Sequence, residues 1–463
     1  VNRTEASLAH TPATFAGMSR RAQSIVLFLL VLGLCNWHLD RGFNANTLSR
    51  AAMVAAVVEH GTLRIDAYHH LTDDKALVDG HYYSEKAPLP ALLVIPFWWT
   101  AKALGLITPG PHGLLTEDLL ALGGSLCGSL PLALMIMFVW TRLRDRTTIW
   151  PPGTMATLPF LGSFLFVYSG SFHGHLLAAL FLLHAWDQRR TEHHIPSGLL
   201  AGAAVLSEYS LFVFPLTWVV QDLVQRRWGA LRGLAIGGTP MILLLMAMNA
   251  AVSGSPFTLP YSHVASHVDT SGVFGMSIPA LDALWGLLFS FYRGLFTHAP
   301  VALLCMAVFF MRPEILRPRT WFTHPLIIPA ILLILMMSAH SMWWGGWAFG
   351  PRHLSTLAVL ILAGGLPLVP HAAWARWTFA ALCAVGLLIN LAAKGTTGYS
   401  LPTQVMHPFT EMIWPGVVAK SFTDMQWTNA LGFSGVMGMA MFLLGLFASL
   451  RFMAATSPTE TPR

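Results

Sequence analysis

Residues 119–140 read "LLALGGSLCGSLPLALMIMFVW" and run directly into "TRLRDR" at 141–146. An uncharged stretch of this length can cross a hydrocarbon core as a helix, and clustered arginines at one end mark the cytoplasmic side. The direction of this span decides everything before it. If it runs inward to Arg142, Arg144 and Arg146, then 40–117 lies outside and one earlier span must lead into it. "SIVLFLLVLGLCNW" (24–37), following Arg20 and Arg21, supplies that span near 24–39. It has the charge and apolar length of a signal peptide, yet no small-residue cleavage site follows, so it reads as a retained first helix. The apolar stretch 88–107, "PLPALLVIPFWWTAKALGLI", then cannot be a simple span, because "TRLRDR" would be left outside. Pro88, Pro90, Pro96 and Lys102 fit an interfacial or re-entrant segment instead.

Beyond residue 150 the crossings come in pairs. Stretches 152–170 and 172–187 turn at Arg189 and Arg190, and 198–209 and 210–224 return to Arg226 and Arg227. Runs at 230–251, 297–311, 322–340, 353–370, 376–394 and 428–450 follow. The prediction is an all-α polytopic membrane protein: one transmembrane domain of about twelve helices with both termini inside and a long first outer loop, 40–117, lying on the membrane. Further outer loops fall at 252–296, 341–352 and 395–427, and the last residues, "AATSPTETPR", read as a disordered tail. There is no internal repeat and no heptad pattern. Composition agrees, with 55% hydrophobic and 10% charged residues and a mean hydropathy of +0.59. Cys35, Cys127, Cys305 and Cys383 sit singly in apolar runs and read as small buried hydrophobes, with neither disulfide nor zinc spacing. The formal charge of +6 comes from scattered arginines beside apolar segments, which argues against a nucleic-acid partner.

Of the 27 Lys and Arg residues, this threading leaves ten away from the cytoplasmic side: Arg41, Arg50, Arg64, Lys75, Lys86, Lys102, Arg293, Arg352, Lys394 and Lys420. Cations placed against the positive-inside rule point to an anionic ligand on the outer face. The first loop, 40–117, carries six of these ten cations. A helix is expected from Thr47 to His60, capped by Asn46 or Thr47, stopped at Gly61 and lying along the bilayer surface. After it come Asp66, Asp73, Asp74 and Asp79, interleaved with Lys75 and Lys86; such carboxylates serve as general bases and such lysines neutralise phosphate. The same charges also suit a solvated loop that pairs with itself. His69, His70 and His81 could join these aspartates in a metal site, but no two of them stand four apart on a helix. His263 and His267 do, beside Asp269, without a third ligand in register. Arg293 interrupts an apolar stretch, where a guanidinium needs an anion from protein or substrate. "WWGGWAFGPRHL" presents Arg352 and His353 after a glycine turn, its tryptophans fitting an interfacial belt or a platform for sugar or prenyl. Glu208 in "VLSEYSLF" is an intramembrane carboxylate, a functional candidate or the partner of a misplaced arginine.

In order and spacing these pieces resemble the polyprenyl-phosphate-sugar-dependent glycosyltransferases of the GT-C fold, in particular the aminoarabinose lipid A transferase and protein mannosyltransferase relatives. The matching residues are Ser49 and Arg50 with the loop helix, Gly61, then Tyr83, Glu85, Lys86, Pro88 and Leu89; "YRGLF" and "WAFGPRHL" are similar to segments of related bacterial membrane proteins. The specific motif covers about fifty residues, the architecture most of the chain. The resemblance implies a polyprenyl-phosphate sugar donor, inversion at the sugar, a lipid, glycan or protein acceptor, and a bacterial cytoplasmic membrane with the site facing the periplasm. It carries Lys86 over as the phosphate ligand, with Glu85 beside it. Those relatives place an acidic base just before the loop helix, whereas this chain has "NANTLSR" there. The role then falls to Asp66 first and Asp74 second, or to Asp40. Tyr83, Lys75, Arg50, Arg293, Arg352 and Glu208 complete the expected substrate site. No particular cofactor is implied, and a divalent cation stays open. A transporter or flippase, or a non-catalytic protein that binds lipid-linked precursors, is the alternative. The charge placement favours the transferase, because the ionisable groups gather in the outer loops.

Overall fold

The computed structural model describes residues 18–265 and 275–455. His267, Asp269, Arg3 and the 456–463 tail lie outside the described residues. Helix α1 (Arg20–Cys35) leads into the first loop, and each later stretch threaded as a crossing is helical. Glu117–Leu143, Trp228–Ser253, Ala373–Thr396 and Gly435–Ala455 are long and apolar enough to cross a membrane. The rest are shorter, and one expected crossing is broken: the 152–170 stretch divides into Pro152–Leu161 and Phe164–Tyr168. The two crossings expected at 198–209 and 210–224 meet at Glu208, between His194–Ser207 and Tyr209–Val224. Ile242, Leu243, Leu388, Leu444 and Phe447 stand exposed on outward faces, a surface suited to an apolar solvent.

The first loop departs from expectation in two ways. Helix α2 spans Ala45–His60, starting earlier than predicted because the Asn44 side chain accepts from Asn46 N–H, and ending at Gly61 in the left-handed region. It is largely enclosed by other parts of the chain. Its small residues Ala51, Ala52, Ala55 and Ala56 are fully buried, since α3 (Leu89–Ala103), the start of Glu117–Leu143 and a strand all pack on it. The second departure is that strand. Lys75–Val78 (β1) and His81–Ser84 (β2) form an antiparallel hairpin, pairing Lys75 with Ser84 and Val78 with His81. Asp79 and Gly80 at its tip both have positive φ, 49° and 80°, as a two-residue turn between twisted strands requires. Among the described residues the otherwise helical architecture thus carries one small sheet. Helix α3 has 15 residues, short of the roughly 20 that a full crossing needs. Its Lys102 donates to the Val58 carbonyl at 2.7 Å, tying it to the end of α2.

The glycines of the opening stretch have a packing role. A Cβ on Gly124 would stand 2.0 Å from the Gly170 carbonyl oxygen, so only glycine lets the 169–175 loop press against this helix. The helix widens to a π turn over Ser125–Ser129 at that contact. All four cysteines are buried and free.

Candidate functional site

Lys86 follows β2 by two residues, and the hairpin decides what it meets. The register that sets Lys75 opposite Ser84 brings Asp74 level with Glu85. Lys86 Nζ donates to Asp74 Oδ2 at 2.8 Å and to Glu85 Oε1 at 2.6 Å. Two hydroxyls fasten this arrangement to α2: Ser84 Oγ meets Ser49 Oγ at 2.8 Å, and Thr72 Oγ1 donates to the Ala45 carbonyl at 2.7 Å while accepting from Asp74 N–H at 3.1 Å. Burial pushes the Asp74 carboxyl up, but Lys86 and the charges of Arg352 and Arg50 outweigh it, and the net direction is down. Glu85, only 2% exposed, goes the other way: burial raises it, and Lys86 offsets this only in part. Burial opposes the charge on Lys86, yet the two carboxylates hold its ammonium above the usual lysine range.

Arg50, one helical turn after Asn46 on α2, is fully buried and donates to the Asn46 carbonyl and side-chain oxygen. Its Nη2 lies 3.7 Å from Glu208 Oε1, and Glu208 Oε2 is 3.2 Å from His175 Nδ1. Glu208 is therefore the partner of one of the misplaced arginines. It occupies the helix break in extended conformation, φ −150° and ψ 107°, which is what turns its side chain away from the helix line. His175 opens the His175–Arg190 helix and stacks on His173, with His353 edge-on at 6.1 Å. Tyr168 and Tyr399 close the other side of His173. Arg352 lies close enough that its charge acts on Asp74, Arg50 and both histidines. Glu85 Oε2, Arg50 Nε, Arg352 Nε, His173 Nε2 and His175 Nε2 are buried with no hydrogen-bond partner among the described residues. Orphaned polar atoms of this kind are costly and mark places where a ligand or water completes the pairing.

The other expected residues are spread more widely. Asp66 does not join Lys86: its Oδ1 accepts from Tyr82 N–H at 2.7 Å and its Oδ2 meets His81 Nδ1 at 2.8 Å, on the exposed side of the hairpin. Lys75 donates to the His69 carbonyl at 2.6 Å and lies over the Tyr82 ring, which His69 stacks upon. Tyr83 is buried and forms, with Met53, Ser84 and Tyr209, the wall of a small cleft of about 20 Å³ beside Lys86. Arg293 meets neutral oxygens of the protein. Its guanidinium donates to the carbonyls of Trp344, Tyr292 and Gly346 at 3.0, 3.0 and 3.3 Å and lies on the Tyr292 ring. Three of its N–H donors reach carbonyl oxygens of the chain, and Arg293 thereby fixes the glycine turn against which Arg352 and His353 pack. Among the described residues no three His, Cys, Asp or Glu side chains converge as a metal group.

Sequence reasoning missed the histidine and tyrosine layer. "SFHGH" at 171–175 was absorbed into an apolar run, although two histidines at the head of a span were the available signal. Asp40 is half-buried, with Oδ1 accepting from Gly42 N–H at 2.8 Å; burial pushes its carboxyl up to about 6 despite the Gly42 bond, the Tyr399 hydroxyl and the Lys394 charge.

The chain has structural neighbours at low identity. The crystal structure of ArnT from Cupriavidus metallidurans bound to undecaprenyl phosphate aligns with 94% of this chain and 76% of its own, at 16% identity and a TM-score of 0.47. The apo structure of the same protein aligns with 95% and 77%, at 15% identity and a TM-score of 0.46. No protein-family model and no curated protein matches the sequence.

Proposed function

We propose that this protein is an integral membrane glycosyltransferase that moves a sugar from a polyprenyl-phosphate donor to a lipid, glycan or protein acceptor, at the outer face of a bacterial cytoplasmic membrane. The observation that carries the reading is Lys86 held between Asp74 and Glu85 while Arg50 and Arg352, drawn from distant segments, each bury a partnerless Nε. A phosphate supplies the oxygens those donors lack, and guanidinium and ammonium groups together bind it strongly.

The donor phosphate and Asp74 compete for the Lys86 ammonium. A phosphate seated on Lys86 frees Asp74 and removes the main influence holding its carboxyl down, so the carboxylate becomes a better base as the donor arrives. The acceptor hydroxyl oxygen then attacks the anomeric carbon from the face opposite the phosphate. The carbon–oxygen bond to phosphate breaks, its electron pair leaves with the polyprenyl phosphate, and the hydroxyl proton passes to Asp74. The positive field of Lys86, Arg50 and Arg352 stabilises the charge on the departing phosphate. Asp66 is set aside as base because both its oxygens are engaged by the hairpin.

The test is transfer of radiolabelled sugar from a panel of polyprenyl-phosphate sugars in proteoliposomes, with and without chelator, comparing the parent with Lys86→Ala and Asp74→Asn. Loss of product in both variants, with donor still bound by Asp74→Asn, supports the reading. Undiminished transfer by folded Lys86→Ala rejects it. Movement of label across the bilayer without product would indicate a transporter or flippase, and donor binding without turnover a precursor-binding protein.

A further inference from the structure

A cavity of about 690 Å³ runs between the helices well away from Lys86. Its polarity is graded. At one end the lining is wholly apolar, with Leu288, Phe289, Leu295 and Phe296; at the other stand Arg142, Arg146, Arg190 and Arg312. Asp187 is the carboxylate that lines this mouth, and it is shared by Arg142 and Arg190. Arg146 reaches the Pro367 carbonyl at 3.4 Å, and Arg312 the exposed Glu314 at 3.5 Å. The mouth thus carries four guanidiniums against one lining carboxylate. The His175–Arg190 helix measures its separation from the site already described: His175 touches Glu208, and Arg190 lines the mouth 15 residues later, about 22 Å along the axis.

We infer that this cavity is a binding site for an anionic glycerophospholipid of the opposite leaflet, its phosphate on the arginines and its acyl chains in the apolar part. Charge complementarity selects the headgroup, because basic pockets between membrane helices on the cytoplasmic side recognise anionic lipids, and these same arginines define that side. The gradient selects an amphiphile over a wholly apolar occupant. The 22 Å separation selects a lipid other than the sugar donor, since a donor with its phosphate here would present its sugar at the wrong end of the bundle. The volume lies within the range of about 300–1,000 Å³ usual for small-molecule sites.

The test uses delipidated full-length protein in detergent, titrated with phosphatidylglycerol, phosphatidylcholine or polyprenyl phosphate and read by native mass spectrometry. Phosphatidylglycerol is expected to bind at least tenfold more tightly than phosphatidylcholine. The Arg146→Gln/Arg312→Gln double variant should weaken phosphatidylglycerol by roughly 25-fold, two surface-type cation contacts being removed, and leave phosphatidylcholine unchanged. Arg146→Lys/Arg312→Lys should recover most of that loss, and Ile331→Trp, which fills the cavity, should weaken both phospholipids. Equal affinity for the two phospholipids, or an unaltered double variant, overturns the assignment. So does arginine dependence confined to polyprenyl phosphate, which would make the cavity a second isoprenoid site. Sugar transfer depends on Lys86 and lipid selectivity on Arg146 and Arg312, so either reading can fail while the other stands.

Discussion

Replacing Lys86 by methionine keeps the unbranched stem but for its terminal nitrogen and removes the charge, leaving Asp74 and Glu85 around the same point without a cation. Lys86 is 16% exposed, Asp74 22% and Glu85 2%, so water reaches this pair poorly. Breaking a buried ion pair by removing one partner costs about 3–5 kcal/mol. The cost has a ceiling here, because Glu85 can take up a proton; from an ordinary value near 4.5 to pH 7 that amounts to about 3 kcal/mol. The variant should therefore be destabilised by about 3 kcal/mol at pH 7. The sign with pH follows from linkage: without Lys86 the folded Glu85 carboxyl titrates above its unfolded value, so stability is greatest at low pH and falls as pH rises toward the folded value. Adding Glu85→Gln removes the stranded charge and should restore about 2 kcal/mol at pH 8, and less at pH 5. Tryptophan-fluorescence melting in detergent at pH 5, 6.5 and 8 measures all three, and the restored double variant should still lose sugar transfer by about 100-fold or more, as loss of a phosphate ligand does. A Lys86→Met protein as stable as the parent at pH 8, with no pH dependence in the difference, would refute the buried triad.

Asp66→Asn should cost about 1 kcal/mol through the hairpin bonds to His81 and Tyr82, seen as earlier proteolysis in the 66–84 region, while retaining most transfer activity. Gly124→Ala inserts a carbon that would lie 2.0 Å from the Gly170 oxygen, so the 169–175 loop must move; a fall of several degrees in Tm together with weakened donor binding is expected, whereas Gly229→Ala, which meets nothing, should be neutral. Asp40→Asn removes a carboxyl that titrates near 6 when folded and 3.8 when unfolded. The folded protein binds that proton more readily, so its stability falls as pH rises from about 4 to 6, and the variant should melt higher than the parent at pH 8 but not at pH 4.

Much of the scaffold was legible because apolar length and arginine placement are one-dimensional signals. The span ending at Arg142, the helix over 89–103 that is too short for a full crossing and the stop at Gly61 all follow from residues close in sequence. The site was legible in part. Lys86, Arg50, Arg352 and Glu208 stand out in the sequence as charges in the wrong place, Glu85 enters through the resemblance as the neighbour of Lys86, and the structure brings them together with Asp74. Which aspartate faces Lys86 was not legible, because it depends on a hairpin whose strands are four residues each and alternate poorly in hydropathy. The signal was the Asp79–Gly80 pair, a turn former between two short runs. Arg293 shows a different limit: its burial was foreseen, but charge counting does not see backbone carbonyls, and those are what it binds.

The two-residue tip at Asp79 and Gly80 also sets a rule of parity. Successive strand residues face opposite sides, so inserting or deleting a single residue in one strand of the hairpin exchanges its two faces. Such a change would shift Glu85 and Lys86 by one place against Asp74 and swap a hydrogen-bonded cation for a second carboxylate. Two residues added together would keep every face and merely lengthen the ribbon. Descendants of this chain are thus free to vary the hairpin in even steps, while odd steps break the cluster at a distance from the residue altered. A length polymorphism here reports on function even when no charged residue has changed.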